Sequence, residues 1–136
     1  MEKEFIPYEQ ALALKELGFD EPCMAQYNHS EGFDGFGGNY RNSYFEYPDQ
    51  VAAPLYQQAF RWFREKCDLD YSILPESESG HRLLTRTFNI VVYRYYMNMN
   101  VQPEILRVNG EIARYNGREE AELACLKKLI EIVKQK

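Results

Sequence analysis

Residues 82–98, RLLTRTFNIVVYRYYMN, run for seventeen positions without a glycine or a proline. β-Branched and aromatic side chains dominate the run, and these favour a pleated, half-buried strand over a helix. A strand of this length cannot stand alone. It needs a neighbouring strand and a layer of apolar side chains on at least one face. The flanks offer strands. DYSILPE precedes it as a short strand, and EILRVNGEIARY follows it as a hairpin. The Asn109–Gly110 pair at the hairpin's centre suits a two-residue turn, in which both residues need positive φ.

Three amphipathic segments supply the covering layer. PYEQALALKELG carries Pro7 where a missing N–H is harmless. Gly18 stands where a left-handed residue ends a helix, and Phe19 is placed to fold back on the last turn. Tyr8, Ala11, Leu12, Leu14 and Leu17 form its broad apolar face. In APLYQQAFRWFREK, Leu55, Tyr56, Ala59, Phe60 and Phe63 make one stripe, and Trp62 lies off its centre, marking a second contact. The last segment, NGREEAELACLKKLIEIVKQK, has Asn116 as an expected N-cap and Glu119 to complete a capping box. Leu123, Leu126, Ile130 and Val133 form its expected seam. Residues 23–28 and 40–47 read as two further strands joined by a glycine-rich loop. The expected fold is α+β, a single domain over residues 1–136. An antiparallel sheet has helices packed on one face, in the order α-β-β-α-β-β-β-β-α.

Composition narrows the function classes. A net charge of −5 works against a general binder of nucleic acid or anionic membrane, both of which need a basic field. Cys23, Cys67 and Cys125 lie far apart with no CxxC, as in reduced thiols of a cytoplasmic protein. No apolar run approaches the roughly 20 residues of a membrane span, and the start has no signal-peptide core.

The glycine-rich stretch EGFDGFGGNYRNSYFEYPDQ, residues 31–50, invites a phosphate-loop reading and fails it. Its glycines, at 32, 35, 37 and 38, do not follow the Gly-x-Gly-x-x-Gly order, and no Lys-Ser/Thr or helix follows. Asn28, His29, Glu31 and Asp34 match no calcium-loop spacing, and no metal or other cofactor is expected. The plain reading is a long turn whose glycines let Phe33 and Phe36 fold inward. The ligand-gripping reading names Phe33, Asp34, Phe36 and Tyr40, with an unknown protein or a small ligand as the partner. Glu46 with Asp49, and Glu76 with Glu78, are carboxylate pairs of the type glycoside hydrolysis uses, although solvated loop acids are far commoner. In the long strand, Arg86, Phe88, Val91, Tyr93 and Arg94 suggest an RNA-reading strand, but Thr87 and Asn89 stand where that pattern has glycines. Residues 81–118 hold six arginines against Glu104 and Glu111, so the strand sits in a locally basic segment.

Three strings together, FIPYEQALALKELGFDEPC, APLYQQAFRWFREK and EEAELACLKKLIEIVK, resemble a family of small uncharacterised proteins of gut Bacteroidota, their phages and mobile elements. The resemblance covers the helices, under half the chain, and implies no activity. It implies a cytoplasmic accessory protein whose individual role lies in residues 28–50 and 75–115. From residue 54 onward the element order also resembles a double-stranded-RNA-binding domain. That family reads phosphates with lysines at the start of its last helix, where this chain has the acidic NGREEAE. The sequence therefore leads to a non-enzymatic binding or interaction module. A nucleic-acid binder and a small carboxylate enzyme are the alternatives.

Overall fold

In the computed structural model, the residues described are 2–28, 32–35, 37–75, 87–95, 101–105, 107–108, 111–112 and 115–135. The fold is α+β with antiparallel sheets, as expected from the alternation of helical and strand-like segments. The chain divides into two compact units, 1–62 with 130–136, and 63–129.

In the first unit, α1 (Tyr8–Glu16) follows Pro7 and ends in a Schellman motif. Gly18 takes φ +100°, its N–H donates to the Lys15 carbonyl at 3.1 Å, and the Phe19 N–H donates to the Leu14 carbonyl at 2.9 Å. Phe19 is thereby folded back, and its buried ring meets Trp62 edge-on at 5.7 Å. That is the second contact Trp62's off-stripe position called for.

A three-stranded sheet runs in the order β2 (Phe33–Asp34), β1 (Ala25–Tyr27), β3 (Val51–Ala53), and α1 lies against β3. One expectation is corrected here. Residues 40–47 are not a strand. Tyr40 makes one isolated antiparallel bridge to Cys23, and the chain then turns through a 3-10 helix, Asn42–Tyr44. Side chains that bond locally or capture backbone groups compete with a strand ladder, and Asn42 and Asp20 both do so. The strand that does form is β3, whose three residues are all buried. Read from the sequence alone, residues 51–53 belong to no element.

α2 (Tyr56–Cys67) buries Ala59, Phe60, Trp62 and Phe63, and Asp68, at φ 55°, ends it in the left-handed region. The division between the units falls within this helix.

In the second unit, β4 (Leu69–Pro75) pairs antiparallel with β5 (Thr87–Tyr95) from Leu69↔Arg94 to Pro75↔Phe88. β5 pairs on its other edge with β6 (Val101–Ile105) and with β9 (Tyr115–Asn116), so it is a central strand. β7 (Arg107–Val108) pairs with β8 (Glu111–Ile112) in the register Val108↔Glu111, which leaves two residues between the paired ends. Those residues, Asn109 and Gly110, lie outside the described residues, so their torsions do too.

α3 (Arg118–Lys134) corrects the expected cap. Asn116 is drawn into β9 opposite Thr87, and Gly117, at φ +98°, turns the chain. The Gly117 carbonyl accepts the first helical bond, from the Ala121 N–H at 3.2 Å. Glu119 therefore sits one position too early for a capping box. The seam is also rotated from the expected one. Ala121, Cys125, Leu126, Leu129, Ile130 and Ile132 are buried, whereas Leu123 and Val133 are half-buried. Phe60, Phe63, Leu126 and Ile130, expected in the core, are all buried.

Candidate functional site: an exposed tyrosine loop

The glycine-rich segment is built around aromatic rings. A side chain at Gly38 would collide with the ring of Tyr40, and one at Gly35 would meet Phe33 at 2.9 Å. Phe33 turns inward, 5.4 Å from Phe5 and 5.4 Å from Tyr27 by ring centroids. Tyr27 in turn donates its hydroxyl to the buried Ile6 carbonyl at 2.9 Å. Asp34, the next residue of β2, is exposed. Phe36 lies outside the described residues. Tyr40 crosses Gly38 and stacks on Phe45 at 6.5 Å and 27°. The inward turn expected of Phe33 is therefore present, and the neighbours of Phe33 and Tyr40 belong to different clusters.

The segment after Tyr40 displays its side chains instead. Tyr44 and Tyr47 are each 64% exposed. The backbone leading into Tyr44 is nevertheless tightly held, and the Tyr47 carbonyl accepts a turn bond from the Gln50 N–H at 3.1 Å. The buried Asn42 donates through Nδ2 to the Phe19 carbonyl at 2.8 Å and accepts through Oδ1 from the Ala52 N–H at 2.8 Å. Asp20 Oδ1 accepts the Ser43 N–H at 2.8 Å, and Arg41 donates to the Asp20 carbonyl at 3.0 Å. Cys23 and Tyr40 exchange two backbone bonds at 2.8 Å, and the Tyr44 N–H closes the turn on the Arg41 carbonyl at 3.0 Å. Large aromatic side chains held out on a fixed backbone lose little freedom when a partner covers them.

Read as a strand, 40–47 would have placed Tyr44 and Tyr47 on opposite faces, so sequence reasoning missed them as a pair. The available signal was Asn42–Ser43 and Pro48–Asp49, turn-forming residues inside the aromatic run.

Glu46 and Asp49 are both exposed. Glu76, Glu78 and Arg86 lie outside the described residues. Phe88, Tyr93 and Arg94 occupy ladder positions opposite Pro75, Asp70 and Leu69, and their side chains also lie outside the description. At the middle of β5, Ile90, Val91 and Val92 are all buried, so both faces of the strand are covered there. Nucleic-acid reading from a sheet requires an open face.

The Cys23 thiol is pushed up to about 12, chiefly by burial, with Glu21 adding to the rise and a hydrogen bond from Gln58 opposing it. Burial likewise raises Cys125 to about 12, helped by Glu122 and Asp70. Such thiols are inert at neutral pH. Tyr71, Tyr115 and Glu122 gather around Cys125 and are all raised, first by burial. Arg118, 3.5 Å from Glu122 one turn away, partly offsets that carboxyl's rise.

Among the described residues no cluster of three metal-ligating side chains occurs, and no helix is long and apolar enough to cross a membrane. Comparison with family models, curated proteins and solved structures returns no match to this chain.

Proposed function

We propose that this chain is a non-enzymatic interaction module whose contact surface is the loop Tyr40–Asp49, presented by Tyr44 and Tyr47. The observation that carries the proposal is the combination of two tyrosines, each 64% exposed, with a backbone that Asn42 and Asp20 fix immediately before Tyr44. Tyrosine is enriched in protein interfaces because its ring contributes large apolar contact and its hydroxyl a hydrogen bond. A loop needed only as a connection gains nothing from holding two such rings in water.

The resemblance of the helices to proteins of Bacteroidota phages and mobile elements suggests the setting, a cytoplasmic accessory protein. The scaffold is then common property of the family, and the loop carries the individual role.

Photo-crosslinking tests this directly. A benzophenone amino acid at position 44, introduced in the native host, should give one discrete adduct. The adduct should weaken strongly when Tyr47 is also replaced by serine, and it should be missing when the benzophenone stands at exposed Lys134 of α3. Equal adduct patterns from positions 44 and 134 would refute the proposal.

A further inference from the structure

We infer that the partner of this loop is cationic: an arginine- or lysine-rich segment of another protein. The inference rests on the loop's being a contact surface, and it adds the chemistry of what is contacted.

Charge is distributed unevenly along the chain. Residues 20–50 contain six acids and one arginine, a balance of −5 that equals the net charge of the whole protein. The remaining residues are neutral in sum. Asp20, Asp34, Glu46 and Asp49 are exposed. Glu46 lies between Tyr44 and Tyr47 in the chain, and Asp49 stands two residues after Tyr47. Neither carboxylate has a hydrogen-bond or ion-pair partner among the described residues. The segment's one arginine, Arg41, is turned onto the Asp20 carbonyl, and Lys15 of α1 donates to the Gln50 carbonyl at 2.9 Å, so each of these two cations is held by a backbone oxygen.

Exposed aromatic rings and carboxylates within six consecutive residues, 44–49, are complementary to one chemical group above others. A guanidinium can lie flat on a tyrosine face, where the ring quadrupole attracts it, while its N–H fork meets a carboxylate. A lysine ammonium uses the same two features less directionally. The same field repels nucleic acid and anionic lipid. A neutral polysaccharide could use the rings but would gain nothing from the concentrated charge.

The test is fluorescence anisotropy with the full chain and four labelled probes. They are an arginine-rich peptide in a Gly/Ser background, its glutamine-substituted counterpart, a glutamate-substituted counterpart, and a neutral oligosaccharide. The arginine peptide should bind, and the other three should not. Binding should weaken roughly ten-fold or more in Glu46→Gln/Asp49→Asn and again in Tyr44→Ser/Tyr47→Ser, and it should fall as salt is raised. All four positions are exposed, so the unfolding midpoints of both variants should match wild type and show that the scaffold is intact.

Tyrosine-dependent binding of the glutamine peptide or the oligosaccharide, unaffected by the carboxylate changes, would overturn the cationic partner while leaving the loop as the contact surface. Binding of the arginine peptide that survives loss of both tyrosines would overturn both. No binding by the arginine peptide would also overturn the cationic partner.

Discussion

Replacing Asn42 with alanine tests how the tyrosine loop is held. Its amide satisfies two buried backbone groups at once, the Phe19 carbonyl and the Ala52 N–H, each at 2.8 Å. Phe19 and Ala52 are themselves buried, so water cannot readily replace the lost partner. Each stranded group costs about 1–3 kcal/mol, giving roughly 4 kcal/mol for the pair. That is a large part of the 5–15 kcal/mol that typically holds a domain. With a urea slope of about 2 kcal/mol per molar, the midpoint should fall by about 2 M. Trp62, the only tryptophan, reports the transition by fluorescence. Asn42→Asp sharpens the test. One carboxylate oxygen still accepts from Ala52, but the other now opposes the Phe19 carbonyl. Only the protonated acid can donate there, so its folded pKa must rise above the unfolded value of about 3.9. The folded state then binds the extra proton. The variant's stability relative to wild type is therefore highest near pH 4 and falls as pH rises through the folded pKa. An Asn42→Ala midpoint within about 0.3 M of wild type, or an Asn42→Asp deficit that shrinks toward neutral pH, would refute this account.

Other outcomes can be measured alongside. Gly18→Ala should lose roughly 1–2 kcal/mol in the same urea assay, because φ +100° is strained for any residue with a side chain. Trp62→Ala should lose roughly 3–5 kcal/mol by thermal or circular-dichroism unfolding, through its lost burial and its edge contact with Phe19. In a native thiol titration Cys67, which is half-buried, should react well before buried Cys23 and Cys125. Because both buried thiols are held near 12, above the unfolded value of about 8.5, the folded state keeps their protons longer. Their contribution is complete below about pH 8.5 and is lost as pH rises toward 12, so Cys125→Ala should flatten the alkaline fall in stability.

Where sequence periodicity is set by one helix or one strand, it was legible. The Gly18 stop, the fold-back of Phe19, the stripe of α2 and the core of the long strand all follow from local chemistry. What escaped depends on partners distant in the chain. Asn116 looks like a cap until β5 claims it, and Ala121, Leu129 and Ile132 are buried in α3 where Leu123 and Val133 were expected. Residues 40–47 have strand composition, and only Phe19, Asp20 and Ala52, from both sides in sequence, divert them into a turn. The candidate site shared that fate. Phe33, Asp34 and Tyr40 could be named from composition, but the exposed pair Tyr44 and Tyr47 becomes visible only once the turn exists.

Phe19 is engaged in three directions by three parts of its unit. Its N–H is held by Leu14, its carbonyl by Asn42 and its ring by Trp62. The first of these contacts is local and can form quickly, whereas the other two close chain segments of 23 and 43 residues. No small fluctuation frees all three at once. The Phe19 amide should therefore be among the slowest in its unit to exchange with deuterium, opening only when the unit itself unfolds. The Tyr44 amide, closing an exposed turn, should exchange through local motion, so the difference between the two rates separates the stability of the scaffold from that of the loop it carries.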